Sequence, residues 1–398
     1  MTIVEPTQAQ VDALVAPYLE TQASGLGFAI GCASPGFAQP GRLYFAGNVT
    51  NQFGQALDLV ATTPFEIASI SKTFTATLYA RLIRSGNPNL TIGDFGQPNG
   101  PLPISPKLAG ITLDELMSFT SGLPQDNSDA PVDSPPQRPS PYSMPGMLSY
   151  LGAAPPPVTS PGQRFTYSNL AFAIMSAILA SGGTIGDRRV GAFVRLMREN
   201  VFGPLGISAT YFDDASLAEL PLGYNYNYGS SPAYSTAQPG WVFFPAYFGA
   251  GGIVATPNDM LQWLRFNMGI VRNAQLSPLL SVLQTPVTTV TAGVTRLGLG
   301  WFISPGGNGS PASVFKDGRL HGFGSYIAFL PSPDPGVTPS PAGVFVLLNA
   351  EGITDTQEKE GVPIAVALAN DLLSIMQGQT PPTDKSHYPH LTPQAGRA

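Results

Sequence analysis

The sequence predicts an α/β fold of the α+β type, in which one antiparallel sheet contains strands from both ends of the chain. Two strand-like runs lie near the N-terminus, at residues 27–33 and 43–46, separated by a turn region rich in Pro and Gly. Two more lie near the C-terminus, at residues 323–330 and 344–348, joined by a loop rich in Pro, Ser and Gly. Both ends of the chain are therefore expected in one sheet.

Helices are expected beside this sheet and between its two halves. Helical spacing of apolar residues predicts a helix within residues 7–22, and residues 362–376 form an apolar segment that predicts a closing helix. The long middle of the chain has further helical segments at residues 71–85, 169–180 and 190–199. These segments predict a second, mostly helical lobe.

The chain has 398 residues, 43% of them hydrophobic, which is enough for one large domain or two closely packed lobes. We interpret residues 1–379 as a single domain. Its sheet lobe comprises about residues 8–65 and 295–377, and its helical lobe about residues 66–294. Residues 380–398 are expected to form a polar tail rich in Pro.

Two segments of the middle lobe differ from helices in composition. Residues 124–161 contain eleven prolines, so we expect them to lack regular structure and to form a stiff pocket rim. Residues 224–248 carry nine aromatic side chains among glycines and prolines. Ordinary loop packing and an aromatic wall of a substrate pocket both remain open for this second segment.

Composition excludes several classes of function. The net charge is -6 and Lys plus Arg total only 19, so nucleic acid and anionic membrane surfaces are not expected as partners. A small, largely neutral molecule is the expected partner. Cys32 is the single cysteine, which excludes an internal disulfide and a Cys-ligated metal. The three histidines leave a His-based triad almost no base.

The N-terminal residues 1–6 lack the basic and apolar regions of a secretory signal. We therefore expect a cytoplasmic protein or the mature form of a periplasmic or secreted one. A membrane-spanning segment is not expected, because the sequence contains no apolar run of about 18 residues. The oligomeric state is left open.

A serine and a lysine share one face at the start of a predicted helix. Ser69 is followed three positions later by Lys72, a spacing that brings both side chains to the same helical face. The helix N-terminus supplies backbone N–H groups where an oxyanion can form. A serine hydroxyl needs a base, and a lysine desolvated beside another cation has a lowered pKa. These features predict a nucleophile and its base.

Two further segments supply candidate partners. Tyr167 and Asn169 lie at the start of another predicted helix. Tyr167 is either a phenol that shuttles protons or a core aromatic residue. Asn169 is either an amide that orients Lys72 or a helix cap. A second Ser-x-x-Lys pair, Ser313 and Lys316, precedes a Gly-rich turn instead of opening a helix, and we interpret this spacing as chance.

The lysine of that pair opens the third segment. Lys316, Asp317 and Gly318 lie on the expected edge of a strand, where the glycine lets a substrate approach the backbone closely. We interpret Asp317 and Gly318 as substrate-binding residues.

In this order and spacing, the three segments resemble the penicillin-recognising serine hydrolases. The Tyr-x-Asn in place of Ser-Asp-Asn resembles the class C β-lactamase branch, which includes family VIII-type carboxylesterases. Residues 110–124 and 251–260 add to a resemblance that covers roughly residues 8–377. It implies a β-lactamase/transpeptidase-like fold with the active site between the sheet and the helical lobe, and it implies no cofactor and no metal.

The resemblance also implies a role for each residue. Ser69 attacks the substrate carbonyl, Lys72 and Tyr167 share the general-base and general-acid duties, and Asn169 holds Lys72 in place. Gln125 lies near the substrate-contacting glutamine of the family, one residue out of register, and is left out of the site.

At the strand edge, the resemblance implies that Lys316 raises the local positive potential and that the backbone N–H groups of Ser69 and Arg319 form the oxyanion hole. Asp317 departs from the family pattern, which has a Thr or Ser that helps to hold a substrate carboxylate. An aspartate beside Lys316 repels anionic substrates and partly neutralises the lysine, whereas the Arg319 guanidinium would restore carboxylate binding.

The sequence thus predicts a serine hydrolase that cleaves carboxylic ester or amide bonds through an acyl-enzyme. A carboxylesterase-like enzyme leads, because Asp317 disfavours an anionic substrate. A β-lactamase or a D-amino-acid peptidase similar to penicillin-binding proteins is the alternative, and a catalytically inactive binding domain is a more remote one. An α/β-hydrolase is disfavoured, since no Gly-x-Ser-x-Gly occurs.

Overall fold

A computed structural model describes most of the chain, namely residues 2–19, 25–96, 102–126, 144–153, 159–180, 188–211, 218–226, 234–236, 245–307, 309–320, 322–351, 362–384 and 388. The described α-helices are α1 (Gln8–Leu19), α2 (Ser71–Tyr79), α3 (Leu113–Met117), α4 (Met144–Ala153), α5 (Asn169–Leu179), α6 (Arg188–Met197), α7 (Gly203–Leu205), α8 (Pro257–Asn267), α9 (Leu280–Leu283) and α10 (Ile364–Met376).

The described strands are β1 (Gly27–Ala33), β2 (Arg42–Gly47), β3 (Val49–Thr50), β4 (Ala56–Leu57), β5 (Phe65–Glu66), β6 (Thr210–Tyr211), β7 (Tyr224–Tyr226), β8 (Tyr234–Thr236), β9 (Ile253–Ala255), β10 (Thr291–Ala292), β11 (Thr295–Leu297), β12 (Phe302–Ser304), β13 (Ser313–Leu320), β14 (Phe323–Phe329), β15 (Gly343–Leu348) and β16 (Ala350–Glu351).

The main sheet is antiparallel and joins the two ends of the chain. Its order is β10-β11-β12-β13-β14-β15-β1-β2, so the last long strand pairs with the first. Phe28 pairs with Leu348 and Ala33 with Gly343 in this central ladder. The prediction that both ends of the chain share one sheet is therefore confirmed.

Helices cover both faces of the central strands, which explains why these strands are apolar without alternation. Every residue of β1, β14 and β15 is buried. The C-terminal helix α10 packs on β14 and β15, and α8 packs on β1 and β15. Strands buried on two sides favour continuous apolar runs over an alternating pattern.

Local capping defines where several of the described helices begin. Thr112 and Thr256 begin α3 and α8, each with a capping box in which the threonine and an acidic residue three positions later bond to each other's backbone N–H. Ser168 begins α5 by accepting a hydrogen bond from Ala171 N–H at 3.0 Å. The helix α2 is buried on all sides, as its apolar and hydroxyl-bearing sequence favours.

A short helix inside the Pro-rich segment contradicts the expectation that residues 124–161 lack regular structure. Helix α4 spans Met144–Ala153, with Pro145 in its first turn. A proline is tolerated there because its missing N–H has no intrahelical partner in any case, and no other proline interrupts the helix. Residues 127–143 and 154–158 of the predicted rim lie outside the described residues.

The described residues of the aromatic segment include two short strands. Strands β7 and β8 pair in antiparallel register, with Tyr224 opposite Thr236. Tyr247 and Phe248 are buried in the core, which agrees with ordinary packing for those two residues. Residues 227–233 and 237–244 of the proposed aromatic wall lie outside the described part.

One residue of the predicted tail packs against the domain. Tyr388 is buried, and its hydroxyl donates a 2.5 Å hydrogen bond to the Asp371 carboxylate on α10. Across the described ranges, no helix is both long enough and apolar enough to span a bilayer.

Candidate active site

Ser69 lies in a strained turn between β5 and α2. The preceding residue, Ala68, has φ of 47°, in the left-handed region that an L-residue with a side chain rarely adopts. Ser69 is partly exposed, whereas its neighbours from Phe65 to Ala68 are buried. The turn therefore presents one hydroxyl at the surface of a buried segment.

The Ser69 hydroxyl receives hydrogen bonds from two residues. Lys72 Nζ donates to Ser69 Oγ at 3.0 Å, and Tyr167 Oη donates to the same oxygen at 2.8 Å. Both donors come from helix starts, the lysine from the first turn of α2 and the tyrosine from the residue before the Ser168 cap of α5. Two proton-carrying groups thus converge on one nucleophilic oxygen.

Three oxygens surround the Lys72 ammonium. Besides Ser69, Nζ donates to Asn169 Oδ1 at 2.7 Å and to the backbone oxygen of Ala250 at 2.7 Å. Burial lowers the pKa of Lys72 well below its ordinary value, and the nearby Lys316 charge lowers it further, while Asp126 and Asp317 act in the opposite direction. A buried amine with only neutral hydrogen-bond acceptors loses its proton more readily than an exposed one.

Tyr167 lies between the two buried lysines. Lys72 Nζ is 5.0 Å and Lys316 Nζ 5.4 Å from its ring centroid, within cation–π range. The ring stacks on Phe119 at 5.3 Å, and Phe119 itself has φ of 60°. Burial raises the pKa of Tyr167, although Lys316 and the hydrogen bond with Ser69 offset part of this effect. The phenol therefore keeps its proton at neutral pH.

Lys316 forms an ion pair with the residue that follows it. Its Nζ lies 2.8 Å from Asp317 Oδ1, and both side chains are almost fully buried, at 1% and 10% exposure. Burial alone raises the pKa of Asp317, but the charges of Lys316 and Arg319, together with hydrogen bonds to the carboxylate, lower it overall. The aspartate is therefore ionised and paired with the lysine.

The strand β13 runs past β12 toward the nucleophile. Strand β12 pairs with residues 313–315 of β13, and the rest of β13 packs against the turn that contains Ser69. A Cβ at Gly318 would lie 2.6 Å from the Ile67 backbone oxygen and 3.2 Å from Ala68 Cβ. Gly318 is thus required because the Ser69 turn packs closely against β13. The reason expected from the sequence was different, namely the access of a substrate to the backbone.

A hydroxyl from the neighbouring strand holds the same turn. Ser325 Oγ on β14 donates to the Ile67 backbone oxygen at 2.9 Å. Arg319 follows Gly318 in β13, so its backbone belongs to the strand segment beside the Ser69 turn. The structure thereby brings Ser69, Lys72, Tyr167, Asn169 and Lys316 together, with Asp317, Gly318 and Arg319 on the adjoining strand.

Three contributors to the site were not predicted from the sequence. The Ala250 carbonyl has no sequence signal, because any residue at that position supplies the same group. Phe119 supplies the ring under Tyr167, and Asp126 accepts a 3.2 Å hydrogen bond from Asn169 Nδ2. Asp126 follows Gln125, whose position one residue out of the family register did not by itself single out this carboxylate.

Ser313 and Lys316 do not form a second serine–lysine pair, because both lie in a strand and not at the start of a helix. Ser313 lies in β13, buried and opposite Ser304, where residues three apart point to opposite faces of the sheet. His321 lies outside the described residues. Within the described ranges, His, Cys, Asp and Glu form no cluster of three or more that would hold a metal ion.

Comparison with known proteins identifies relatives across most of the chain. The family model described as Beta-lactamase matches residues 35–369. The D-alanyl-D-alanine-carboxypeptidase/endopeptidase AmpH of Escherichia coli is 26% identical over 340 residues, covering 79% of this chain and 77% of AmpH. A β-lactamase of Pseudomonas fluorescens is 27% identical over 358 residues, covering 82% of this chain and 91% of that protein.

Solved structures share the fold at lower sequence identity. A class C β-lactamase superposes with a TM-score of 0.68 and 20% identity, covering 92% of this chain and 95% of its own. A β-lactamase/D-alanine carboxypeptidase from Yersinia pestis, complexed with citrate, has a TM-score of 0.67 and 21% identity, covering 94% and 100%. These likenesses confirm the predicted β-lactamase/transpeptidase-like fold.

Proposed function

Because the chain belongs to the β-lactamase family of serine hydrolases, we propose that it hydrolyses neutral carboxylic esters through an acyl-enzyme on Ser69. The observation that carries this substrate preference is the buried ion pair between Lys316 and Asp317, with 2.8 Å between nitrogen and oxygen. In this pair, the cation that would otherwise attract a substrate carboxylate already has a carboxylate partner.

Acylation begins with proton transfer from Ser69. A neutral Lys72 keeps its two shorter hydrogen bonds, to Asn169 and Ala250 at 2.7 Å each, and turns its lone pair to the Ser69 hydroxyl at 3.0 Å. As Oγ bonds to the substrate carbonyl carbon, the hydroxyl proton moves to Lys72 Nζ. The backbone N–H groups of Ser69 and Arg319 stabilise the oxyanion that forms.

The same groups complete the turnover. Tyr167 donates its phenolic proton to the alcohol oxygen as the ester C–O bond breaks, and it is reprotonated from Lys72. Water then attacks the acyl carbon, and one of its protons passes to Tyr167 and Lys72. The bond between the acyl carbon and Ser69 Oγ breaks, the acid leaves, and Oγ takes up that proton to restore the hydroxyl. Asn169 keeps Lys72 in place throughout.

Electrostatic repulsion supports the preference for a neutral acyl group. Asp317 is ionised, so a substrate carboxylate approaching Lys316 also approaches a second negative charge. Two like charges about 4 Å apart repel by on the order of 4 kcal/mol at an effective dielectric of about 20, before Lys316 and Arg319 compensate. Even a quarter of this energy changes selectivity several-fold.

The proposal is tested by comparing a short-chain nitrophenyl ester with a chromogenic cephalosporin, using wild type and Ser69→Ala. We expect a higher kcat/KM on the ester, an acyl adduct on Ser69 by intact mass, and a loss of about ten-thousandfold in the alanine variant. Ester turnover that survives in Ser69→Ala contradicts the mechanism. A higher kcat/KM on the cephalosporin contradicts the esterase assignment and leaves the nucleophile assignment intact.

The second candidate function is that of a β-lactamase or a D-amino-acid peptidase. It is supported by the names of the relatives, which include a β-lactamase and a D-alanyl-D-alanine-carboxypeptidase/endopeptidase. Arg319, beside Gly318 on β13, supplies a guanidinium suited to a substrate carboxylate. Release of D-alanine from a D-alanyl-D-alanine peptide by wild type would favour this candidate over the esterase.

A further inference from the structure

A carboxylate outside the three predicted motifs holds the amide that contacts Lys72. Asn169 accepts from Lys72 Nζ through Oδ1 at 2.7 Å, and it donates through Nδ2 to Asp126 Oδ1 at 3.2 Å. We propose that Asp126 is a positioning residue that fixes the orientation of the Asn169 amide and sets the pH range in which Lys72 acts as a base. This inference rests on the base role proposed for Lys72.

The chemistry of the three groups allows only one orientation of the amide. Burial raises the pKa of Asp126, while the hydrogen bond from Asn169 and the charge of Lys72 act in the opposite direction and favour the ionised form. In that form the carboxylate only accepts hydrogen bonds, and an ammonium group only donates them. If the Asn169 amide were rotated by half a turn, its oxygen would face the Asp126 carboxylate and its NH₂ group would face Lys72. Both contacts would then be repulsive, so the charge pair selects the orientation in which Lys72 has an acceptor.

Asp126 is anchored in the chain beside the start of α5. Asn169 N–H and Leu170 N–H donate to the Gln125 backbone oxygen at 2.8 and 3.0 Å. Ser168 Oγ donates to the Pro124 backbone oxygen at 2.6 Å. The two bonds to Gln125 use N–H groups of a helix start that have no intrahelical partner, and a carboxylate is also favoured there by the helix dipole. The position of Asp126 relative to Asn169 is therefore built into the fold.

Charge around Lys72 comes from several elements of the site. Lys316 and Asp317 face it from β13, and Asp126 faces it from the segment before α4. The Tyr167 ring lies against it from the start of α5. Asp126 raises the pKa of Lys72, against the larger lowering by burial and by Lys316. Lys316 thus contacts the Asp317 carboxylate directly, whereas Lys72 is linked to the Asp126 carboxylate through the Asn169 amide.

Three substitutions separate the charge of Asp126 from its hydrogen bond. Asp126→Asn keeps an oxygen that accepts from Asn169 and removes the charge. Asp126→Glu keeps the charge, and Asp126→Ala removes both. Asp259→Asn is the matched control, since this buried carboxylate caps α8 and bonds Ser208 and Thr256, away from the site.

The measurement is the rate of Ser69 labelling by a neutral nitrophenyl phosphonate, followed by intact mass from acidic to alkaline pH. For Asp126→Asn we expect the acidic limb of the rate profile to move by about one pH unit to lower pH, because loss of a negative charge makes Lys72 easier to deprotonate. The plateau rate should stay within about threefold of wild type. For Asp126→Ala we expect a plateau lower by about tenfold or more, because the amide loses its orienting partner.

Asp126→Glu and Asp259→Asn should keep the acidic limb at the wild-type position. An unmoved limb in Asp126→Asn, or an equal shift in Asp126→Glu, overturns the inference. If Asp126→Asn does not fold, a shifted limb in Asp126→Glu still overturns it, whereas an unshifted limb in Asp126→Glu together with a reduced plateau in Asp126→Ala supports the orienting role. Absence of Ser69 labelling in the wild type at every pH contradicts the proposed function itself, which keeps the two failures distinct.

Discussion

Lys72, at the start of α2, and Lys316, on the edge of β13, are both buried and both lie over the Tyr167 ring, yet their partners differ. Lys72 donates to the neutral oxygens of Ser69, Asn169 and Ala250. Lys316 instead contacts the Asp317 carboxylate at 2.8 Å. The same residue type is therefore placed for proton transfer in one position and for an ion pair in the other, and the neighbours decide which.

Substitution of Lys72 is the strongest test of the difference between the two lysines. We expect Lys72→Arg and Lys72→Ala to lower the rate of Ser69 acylation similarly, by about a thousandfold, because a guanidinium keeps its proton and cannot act as a base. In wild type, kcat/KM should rise with pH through the lowered pKa of Lys72, since deprotonation creates the base, and this limb should vanish in both variants.

Burst kinetics with a nitrophenyl ester across pH will measure the Lys72 effect. The exposed Lys107→Arg is the control for a conservative change elsewhere and should behave as wild type. A wild-type acylation rate in Lys72→Arg would show that a positive charge at position 72 is sufficient for acylation. Lys72 would then not act as a base, and the proposed difference between the two lysines would be wrong.

Substitution of Tyr167 is a second test of this difference, because Tyr167 lies between the two lysines. Tyr167→Phe keeps the ring that both ammonium groups face and removes the hydroxyl that donates to Ser69 Oγ at 2.8 Å. We expect kcat/KM to fall by about ten- to a hundredfold, less than for Lys72→Arg, because water partly replaces a phenol that relays protons.

The Tyr167 measurement is steady-state kinetics on the neutral ester, with Tyr79→Phe as the control. Tyr79 is a buried tyrosine whose hydroxyl donates to Asp114 outside the site, so its loss should leave kcat/KM nearly unchanged. A Tyr167→Phe enzyme with wild-type kinetics would assign the proton relay to Lys72 alone.

The smallest expected effect concerns the partner of Lys316. Asp317→Thr removes one negative charge and frees the Lys316 ammonium to bind a substrate carboxylate. We expect the ratio of kcat/KM for an anionic substrate to that for a neutral ester of similar size to rise by about fivefold. Thermal unfolding is measured alongside, because loss of one partner from a buried ion pair destabilises the fold.

The matched pair of substrates provides the control for Asp317→Thr, since a general loss of folded enzyme lowers both rates equally. An unchanged ratio would mean that Asp317 has a structural role. In that outcome, the preference for an esterase over a β-lactamase loses its main support, while the roles proposed for Ser69 and Lys72 are unaffected.

Much of the fold was predicted from apolar patterns. The predicted strand at residues 27–33 matches β1 residue for residue, and the predicted helix at residues 362–376 contains α10. The helix α4 was missed because a high proline content across residues 124–161 concealed a proline-free stretch after Pro145. The family resemblance was confirmed as well, while the proposed roles of the site residues stay predictions that the substitutions above will test.

The available chemical groups and the positions of the main secondary structure elements could be predicted from the sequence alone. Ser69 and Lys72 are three residues apart on one helix start, so their proximity is local and follows from helix geometry. Tyr167 and Lys316 were placed with them through a resemblance of motifs, since distant segments carry no spacing rule of their own.

The surroundings of each lysine, in contrast, depend on how distant segments pack together. The Ala250 carbonyl reaches Lys72, and the Asp126 carboxylate reaches the Asn169 amide that contacts Lys72, because the 249–253 segment and the start of α5 pack beside α2. Lys72 thereby has neutral hydrogen-bond acceptors and Lys316 a charged partner. Burial and neighbouring charge set the pKa of a side chain, and both depend on residues far away in the chain. The identity of the base is therefore a property of the fold as much as of the lysine.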